Sequence, residues 1–320
     1  MSRVAESTPV SSSISRDAFY FWLLNVSSSF MISAAHNTLY FVLDLRTPVF
    51  HFLHHATTFG FLVLTALAGH FPQSLPKPNV LAIPVALQCV VTLLTAIVHS
   101  SNRIGSLYLL RLTDVFSTLA VLKWLPVASD KFPHWGLMIP LSIGASLSWL
   151  ELGNLEYDTV GLLLAPILGL LRGLQLIVMQ KAYRESGASS CAQFSTYFCA
   201  AVSAALLLPA AVSYSMTEVK ADASWESIDY TLIGLSFFFM IGYKYSELFL
   251  TLSLDARLVL AAEQTKFFAA SIGQWFLQNM AHATIFSFCG KLIFGSSLLR
   301  LASHYPFGSS AEARRKTVKQ

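Results

Sequence analysis

Two acid–base pairs stand out because each lies inside an otherwise apolar run. Arg111 sits within GSLYLLRLTDVFSTLAVL with Asp114 three residues on, and Lys266 sits within RLVLAAEQTKFFAASIGQW with Glu263 three residues before it. On a helix, a spacing of three puts both members on one face. A charge in an apolar, bilayer-length segment costs at least about 2.5–3.5 kcal/mol on insertion scales, so such residues mark interior sites rather than lipid-facing ones. Two cations turned to one cavity would clamp a doubly charged anion. Arg suits bidentate recognition of phosphate, and Lys supplies a compact point charge. The competing reading is that each pair neutralises itself and only stabilises its own helix.

A second group, Tyr243, Lys244, Tyr245 and Glu247, lies in IGYKYSELFLTLSLDAR. Tyr245 could stack on a base or donate to a phosphate, and Lys244 could add charge. Aromatic and Lys side chains near a span end also snorkel and anchor, so both readings stay open. Arg172 and Lys291 lie deep in their segments, and the sequence supplies no partner for either. His51 and His55 have the i, i+4 spacing of a metal pair, but no carboxylate follows at a useful distance. No metal is assigned to them, and proton sensing stays open. The four cysteines, Cys89, Cys191, Cys199 and Cys289, fall in apolar segments without CxxC spacing and read as small core residues. Nothing matches a GxSxG, HExxH or phosphate-loop pattern, so the expectation is no enzyme and no cofactor.

The elements that carry these residues follow from composition. Of 320 residues, 54% are hydrophobic and 12% charged, where a soluble domain carries about a quarter charged residues. A mean hydropathy of +0.58 agrees with lipid as the main solvent. The net charge of +4 comes from basic residues scattered singly between apolar runs, which excludes a nucleic-acid patch. A helix needs about 20 apolar residues to cross the hydrocarbon core. That length places spans at 18–42, 48–69, 80–100, 105–124, 134–150, 158–180, 190–213, 229–252, 256–279 and 282–302.

Residues 1–17 are Ser-rich with Glu6 and Asp17, and read as a disordered cytosolic N-terminus that is neither signal nor transit peptide. With both termini cytosolic, Arg3, Arg16, Lys77, Lys123, Lys131, Lys181, Arg184, Arg257, Arg300, Arg314, Arg315, Lys316 and Lys319 fall on the cytosolic side. Only Arg46, Arg103 and Lys220 fall opposite, as the positive-inside rule requires. The chain divides into 18–150 and 151–303, five spans each, followed by a basic cytosolic tail at 304–320. Five spans per half make the second half enter from the opposite side. The predicted fold class is therefore an all-α polytopic membrane protein of about ten transmembrane helices in two inverted five-helix repeats, an architecture that builds midplane sites in transporters.

From about residue 20 to 303 the chain resembles the drug/metabolite transporter superfamily, in its triose-phosphate-translocator and nucleotide-sugar-transporter branch. FWLLNVSSSFMISAAHNTLYFVLDLRTPVFHFLHHATTF resembles that branch's first hairpin, and LGNLEYDTVGLLLAPILGLLRGLQLIVMQKAYRE its sixth helix. LYLLRLTDVFSTLAVL resembles the fourth helix, with Arg111 in the place of a Lys, and LSLDARLVLAAEQTKFFAASIGQWF the ninth, whose Lys in the phosphate site is matched by Lys266. Phe267 follows where plastid sugar-phosphate exchangers carry Arg and nucleotide-sugar carriers commonly carry Thr or Val, and the GALNK signature of GDP-mannose carriers is missing, so the chain reads as a divergent member.

The resemblance implies a secondary-active antiporter that exchanges a nucleotide sugar for nucleoside monophosphate across the Golgi or ER membrane. Its implied substrate-binding residues are Arg111, Lys266, Tyr245, Lys244, Asp114 and Glu263. Its partners would be a small anionic solute and the lipid bilayer, with no nucleic acid; a homodimer is compatible with it. The terminal KTVKQ lacks the spacing of a dilysine retrieval signal, which favours the Golgi. The alternatives are a carrier of another phosphorylated metabolite or organic solute, and a non-transporting membrane scaffold or receptor.

Overall fold

The computed structural model describes residues 11–43, 47–74, 76–101, 111–124, 135–150, 159–215, 227–277 and 284–303. They form the helices α1 (Ser11–Leu43), α2 (Thr47–Leu67), α3 (Ala82–Ser101), α4 (Thr113–Trp124), α5 (Trp135–Trp149), α6 (Thr159–Glu185), α7 (Cys191–Ser215), α8 (Ser227–Ser253), α9 (Ala256–Leu277) and α10 (Ile285–Ser303). A short 3-10 turn, Pro78–Leu81, leads into α3. No strand occurs among the described residues. The tail at 304–320, residues 1–10, and the connections holding Arg46, Arg103, Lys131, Glu151 to Asp158 and Lys220 lie outside the described residues.

Helix edges mostly fall within a few residues of the hydropathy spans, with two differences. α1 begins at Ser11, inside the segment expected to be disordered through residue 17. Of the fourth segment only 111–124 is described: the backbone turns at Leu112, directly after Arg111, and α4 runs from Thr113. Apolar content cannot signal such a turn, because Leu110, Leu112 and Val115 are equally apolar on either side of it. The Gln264 side chain on α9 donates to the Arg111 carbonyl at 3.4 Å.

The outer faces are apolar and the interior is polar. Leu163, Leu208, Ile83, Phe238 and Ile285 are each more than 60% exposed, whereas Lys266, Lys244, Asp114 and His55 are buried. Water would not tolerate that surface over so large an area. Among the described residues, four helices, at Pro48–Leu67, Pro78–Val98, Thr159–Glu185 and Cys191–Ser215, are long and apolar enough to cross a membrane. The chain is an all-helical membrane protein.

α5 packs on α10, α2 on α7 and α1 on α8, and α6 lies against both α3 and α4. α9 contacts α1, α10 and, more lightly, α4, while α2 also touches α8, and α3 touches α7. Two buried apolar clusters flank the centre. One is built from Leu112, Val115, Leu141, Leu258 and Phe294, the other from Phe194, Phe198, Val202, Leu248 and Leu252.

Small residues set the closest approaches. A Cβ on Gly290 would fall 2.6 Å from the Ser148 backbone nitrogen, and one on Gly144 2.6 Å from that of Phe294. The α5 and α10 backbones therefore touch, as small residues permit in membrane helix pairs. At one end, the loop after α2 is fastened to α7 and to the turn before it. Gln193 donates through Nε2 to the Ser74 carbonyl, the Tyr197 hydroxyl donates to the Gln73 carbonyl at 2.5 Å, and the Lys77 amide donates to the Ser186 carbonyl at 3.2 Å. Gly187 turns that connection at φ +70°, a left-handed conformation that glycine adopts without strain.

Replacing Gly290 by Leu drives a side chain into backbone that cannot yield. Overpacking of this kind costs about 1–3 kcal/mol or more. Thermal unfolding of purified Gly290→Leu is expected several degrees below wild type, with Gly295→Leu, which meets open space, unfolding close to wild type.

Candidate functional site

Lys266 is 1% exposed, at the middle of α9. Its Nζ donates to Glu263 at 2.9 Å and to the Tyr243 hydroxyl at 3.1 Å, and lies 4.7 Å from the Tyr243 ring centroid. Glu263 is the same-face acid expected from the spacing of three. On α8, Lys244 donates to Glu247 at 2.8 Å, again across three residues. These two helices are held by α1. Asn25 donates from Nδ2 to the Tyr243 carbonyl at 3.1 Å and to the Ser246 hydroxyl at 3.0 Å, and Trp22 donates from Nε1 to the Thr265 hydroxyl at 2.8 Å. Gly242 lets α1 come in: a Cβ there would sit 2.8 Å from the Ser28 hydroxyl oxygen.

Asp114 does not simply serve its own helix. It accepts a hydrogen bond from Arg172 on α6 at 2.5 Å, and the other terminal nitrogen of Arg172 donates to the Thr95 hydroxyl on α3 at 3.1 Å. Glycines on either side of that contact bring α6 against α4. A Cβ on Gly169 would be 3.0 Å from Asp114 Oδ1, and one on Gly173 3.0 Å from Thr118 Cα. Next to this contact runs a buried ladder on α3: Gln88 receives a hydrogen bond from Gln175 on α6 and donates to Thr92 at 3.3 Å.

These pairs belong to one electrostatic group. Arg111 feels the charges of Arg172, Asp114 and Glu263. Glu247 feels Lys244, Lys266 and Arg111. His51 on α2 feels Lys244, Glu247, Arg111 and Arg172. Among the described residues, four cations (Arg111, Arg172, Lys244, Lys266) and three carboxylates (Asp114, Glu247, Glu263) thus lie near enough to act on one another's charge, with the Tyr243 hydroxyl on Lys266. The sequence put Arg111 and Lys266 in corresponding segments, and the fold brings both, with Lys244, Asp114 and Glu263, into this group.

Tyr245 is not brought to it in the same way. Its ring meets Phe21 of α1 edge-on at 5.5 Å, and Phe21 in turn stacks on Phe249 at 3.9 Å. The tyrosine on Lys266 is Tyr243. Positions two apart on a helix of 3.6 residues per turn point about 200° apart, and hydropathy does not choose between two tyrosines. Arg172 was visible as a deep charge, but its partners lie on α4 and α3, far off in sequence. The histidines separate: His54 faces Tyr243 at 5.6 Å between centroids, and His55 faces Phe198 on α7 at 5.9 Å. Both ring nitrogens of His55 are buried without a hydrogen-bond partner. No cluster of three or more metal-ligating side chains occurs among the described residues.

No family model matches the chain, and no curated protein matches it. Twelve chains of solved structure match. One crystal structure superposes with a TM-score of 0.62 at 10% identity, covering 90% of this chain and 98% of that one. At that identity the likeness shows the fold alone.

Removing one member of a buried ion pair strands the other, at a cost of about 3–5 kcal/mol, whereas removing both is often near neutral. Glu263→Gln and Lys266→Met are each expected to lower the thermal midpoint of the purified protein, and Glu263→Gln/Lys266→Met to recover most of the loss. A double variant no more stable than the singles would show that the contact carries little.

Proposed function

We propose that this protein is a secondary-active carrier of an anionic solute, and that the solute is a nucleotide sugar exchanged for nucleoside monophosphate. The observation that carries the reading is the approach of Arg111, just before α4, to α9 through the Gln264 side chain on its carbonyl, which puts it in one interior group of charges with Lys266, Lys244 and Arg172. Cations that hydrocarbon would reject are retained where an anion can use them. Arg111 and Lys266 hold the phosphates, Asp114 and Glu263 act as their resident counter-ions, and Lys244 adds charge. Tyr243 orients Lys266, and Tyr245 lies at the aromatic edge where a base or sugar would rest.

The proposal takes the helices as ten transmembrane spans in two inverted five-helix repeats, and the contact pattern supports that layout. Advancing every helix by five turns one set of contacts into another: α1 on α8 becomes α6 on α3, α4 on α6 becomes α9 on α1, and α2 on α8 becomes α7 on α3. The pairs α2–α7, α5–α10 and α4–α9 map onto themselves. A two-fold relation of this kind lets one half rock against the other around a fixed centre. Both termini are cytosolic on the Lys and Arg bias, and the Golgi membrane is the proposed home.

A non-transporting scaffold is the rival reading, and one observation favours it: Lys266, Lys244 and Arg172 each already contact an acid.

Proteoliposomes preloaded with UMP or GMP test the proposal. Uptake of a labelled nucleotide sugar should rise at least about tenfold over unloaded vesicles, and Lys266→Gln should abolish it while the protein still reconstitutes. Uptake of no nucleotide sugar, whatever is preloaded, overturns the nucleotide-sugar reading. If no anion exchanges at all, the scaffold reading gains.

A further inference from the structure

Arg172 holds two partners with one fork. An arginine has five N–H donors; the contacts with Asp114 and Thr95 use two of them, and no other partner appears for Arg172 among the described residues. Its side chain is 16% exposed and that of Asp114 10%, so the pair is neither sealed in packing nor open to the outside. Arg111, three residues before Asp114, acts on Arg172 as a like charge in a medium where repulsion is weakly screened. The glycines at 169 and 173 are what bring α6 near enough for Arg172 to reach α4, since a Cβ on either would crowd Asp114 or Thr118.

We infer that Arg172 is a third anion-binding group, and that Asp114 is a built-in carboxylate which an incoming phosphate displaces from it. The inference rests on the carrier reading above and sharpens it: the preferred ligand is a multiply charged phosphoryl group such as a diphosphate, bridging Arg111, Arg172 and Lys266. A carboxylate already on the guanidinium has two effects. It keeps the cation compensated when the site is empty, and it competes with the ligand, so that release remains fast.

The two partners therefore have opposite effects on anion affinity. With purified full-length protein and inorganic pyrophosphate as the probe, Asp114→Asn should lower the apparent dissociation constant about threefold to tenfold, because the competitor has lost its charge. Arg172→Gln should raise it about tenfold, and Arg172→Lys should fall between, since Lys keeps the charge but not the fork. Monovalent phosphate esters should respond less than pyrophosphate to every variant. Thermal midpoints without ligand should be read alongside, because a purely structural pair would show both variants losing stability with Asp114→Asn binding no tighter than wild type. That result, in folded protein, overturns the role given to Arg172. If wild type gains no thermal stability from pyrophosphate, or gains as much as Lys266→Gln does, the anion-site reading itself falls and this inference falls with it.

Discussion

A lysine ammonium that is 1% exposed, in a molecule whose outer faces are leucine, isoleucine and phenylalanine, can exist only if its surroundings replace water. Glu263, the Tyr243 hydroxyl and the Tyr243 ring do so for Lys266, and each must be held within about 3–5 Å for the exchange to work. Tyr243 is on α8 and Lys266 on α9, so the two helices cannot drift apart without desolvating a charge. α1 fixes them through Asn25 and Trp22, whose partners are a backbone carbonyl and two hydroxyls rather than other charges. Much of the architecture around the centre can be read as the means of keeping that ammonium satisfied.

The same demand explains where polar side chains are spent elsewhere. Backbone carbonyls at the end of α8 receive the Gln180 side chain, which donates to the Thr251 and Leu254 carbonyls at 2.9 Å each. The next helix begins with Asp255 accepting the Arg257 amide at 3.0 Å, an N-cap that makes the turn between α8 and α9 very short. Gln264 does a related service at the Leu112 turn. These glutamines are spent on main-chain groups that lipid could not hydrate, and each ties together helices distant in sequence.

Helix positions were legible in the sequence because hydropathy and bilayer length are one-dimensional properties. α7, expected at 190–213, runs Cys191–Ser215, and α9, expected at 256–279, runs Ala256–Leu277. Glu263 on Lys266 and Glu247 beside Lys244 were also within reach, since a spacing of three is a local fact. What sequence could not supply was any contact between helices. Asp114 reads as a partner for Arg111, three residues away, yet it accepts from Arg172, 58 residues on. Which of Tyr243 and Tyr245 meets Lys266 depends on how α8 is rotated, and α1 holds α8 through Asn25. The turn after Arg111 leaves no trace in composition.

The segment Phe71 to Pro78 carries three prolines and little apolar character, the look of a connection free to wander. Instead its carbonyls at Gln73 and Ser74 and its amide at Lys77 are spoken for by α7 and the turn that precedes it. First-half chain and second-half chain are therefore stitched to each other at this rim in the conformation described. Hydrogen bonds of this type contribute about 0.5–1.5 kcal/mol each. Three of them together make the loop after α2 a fixed part of this rim, held by α7 and the turn before it.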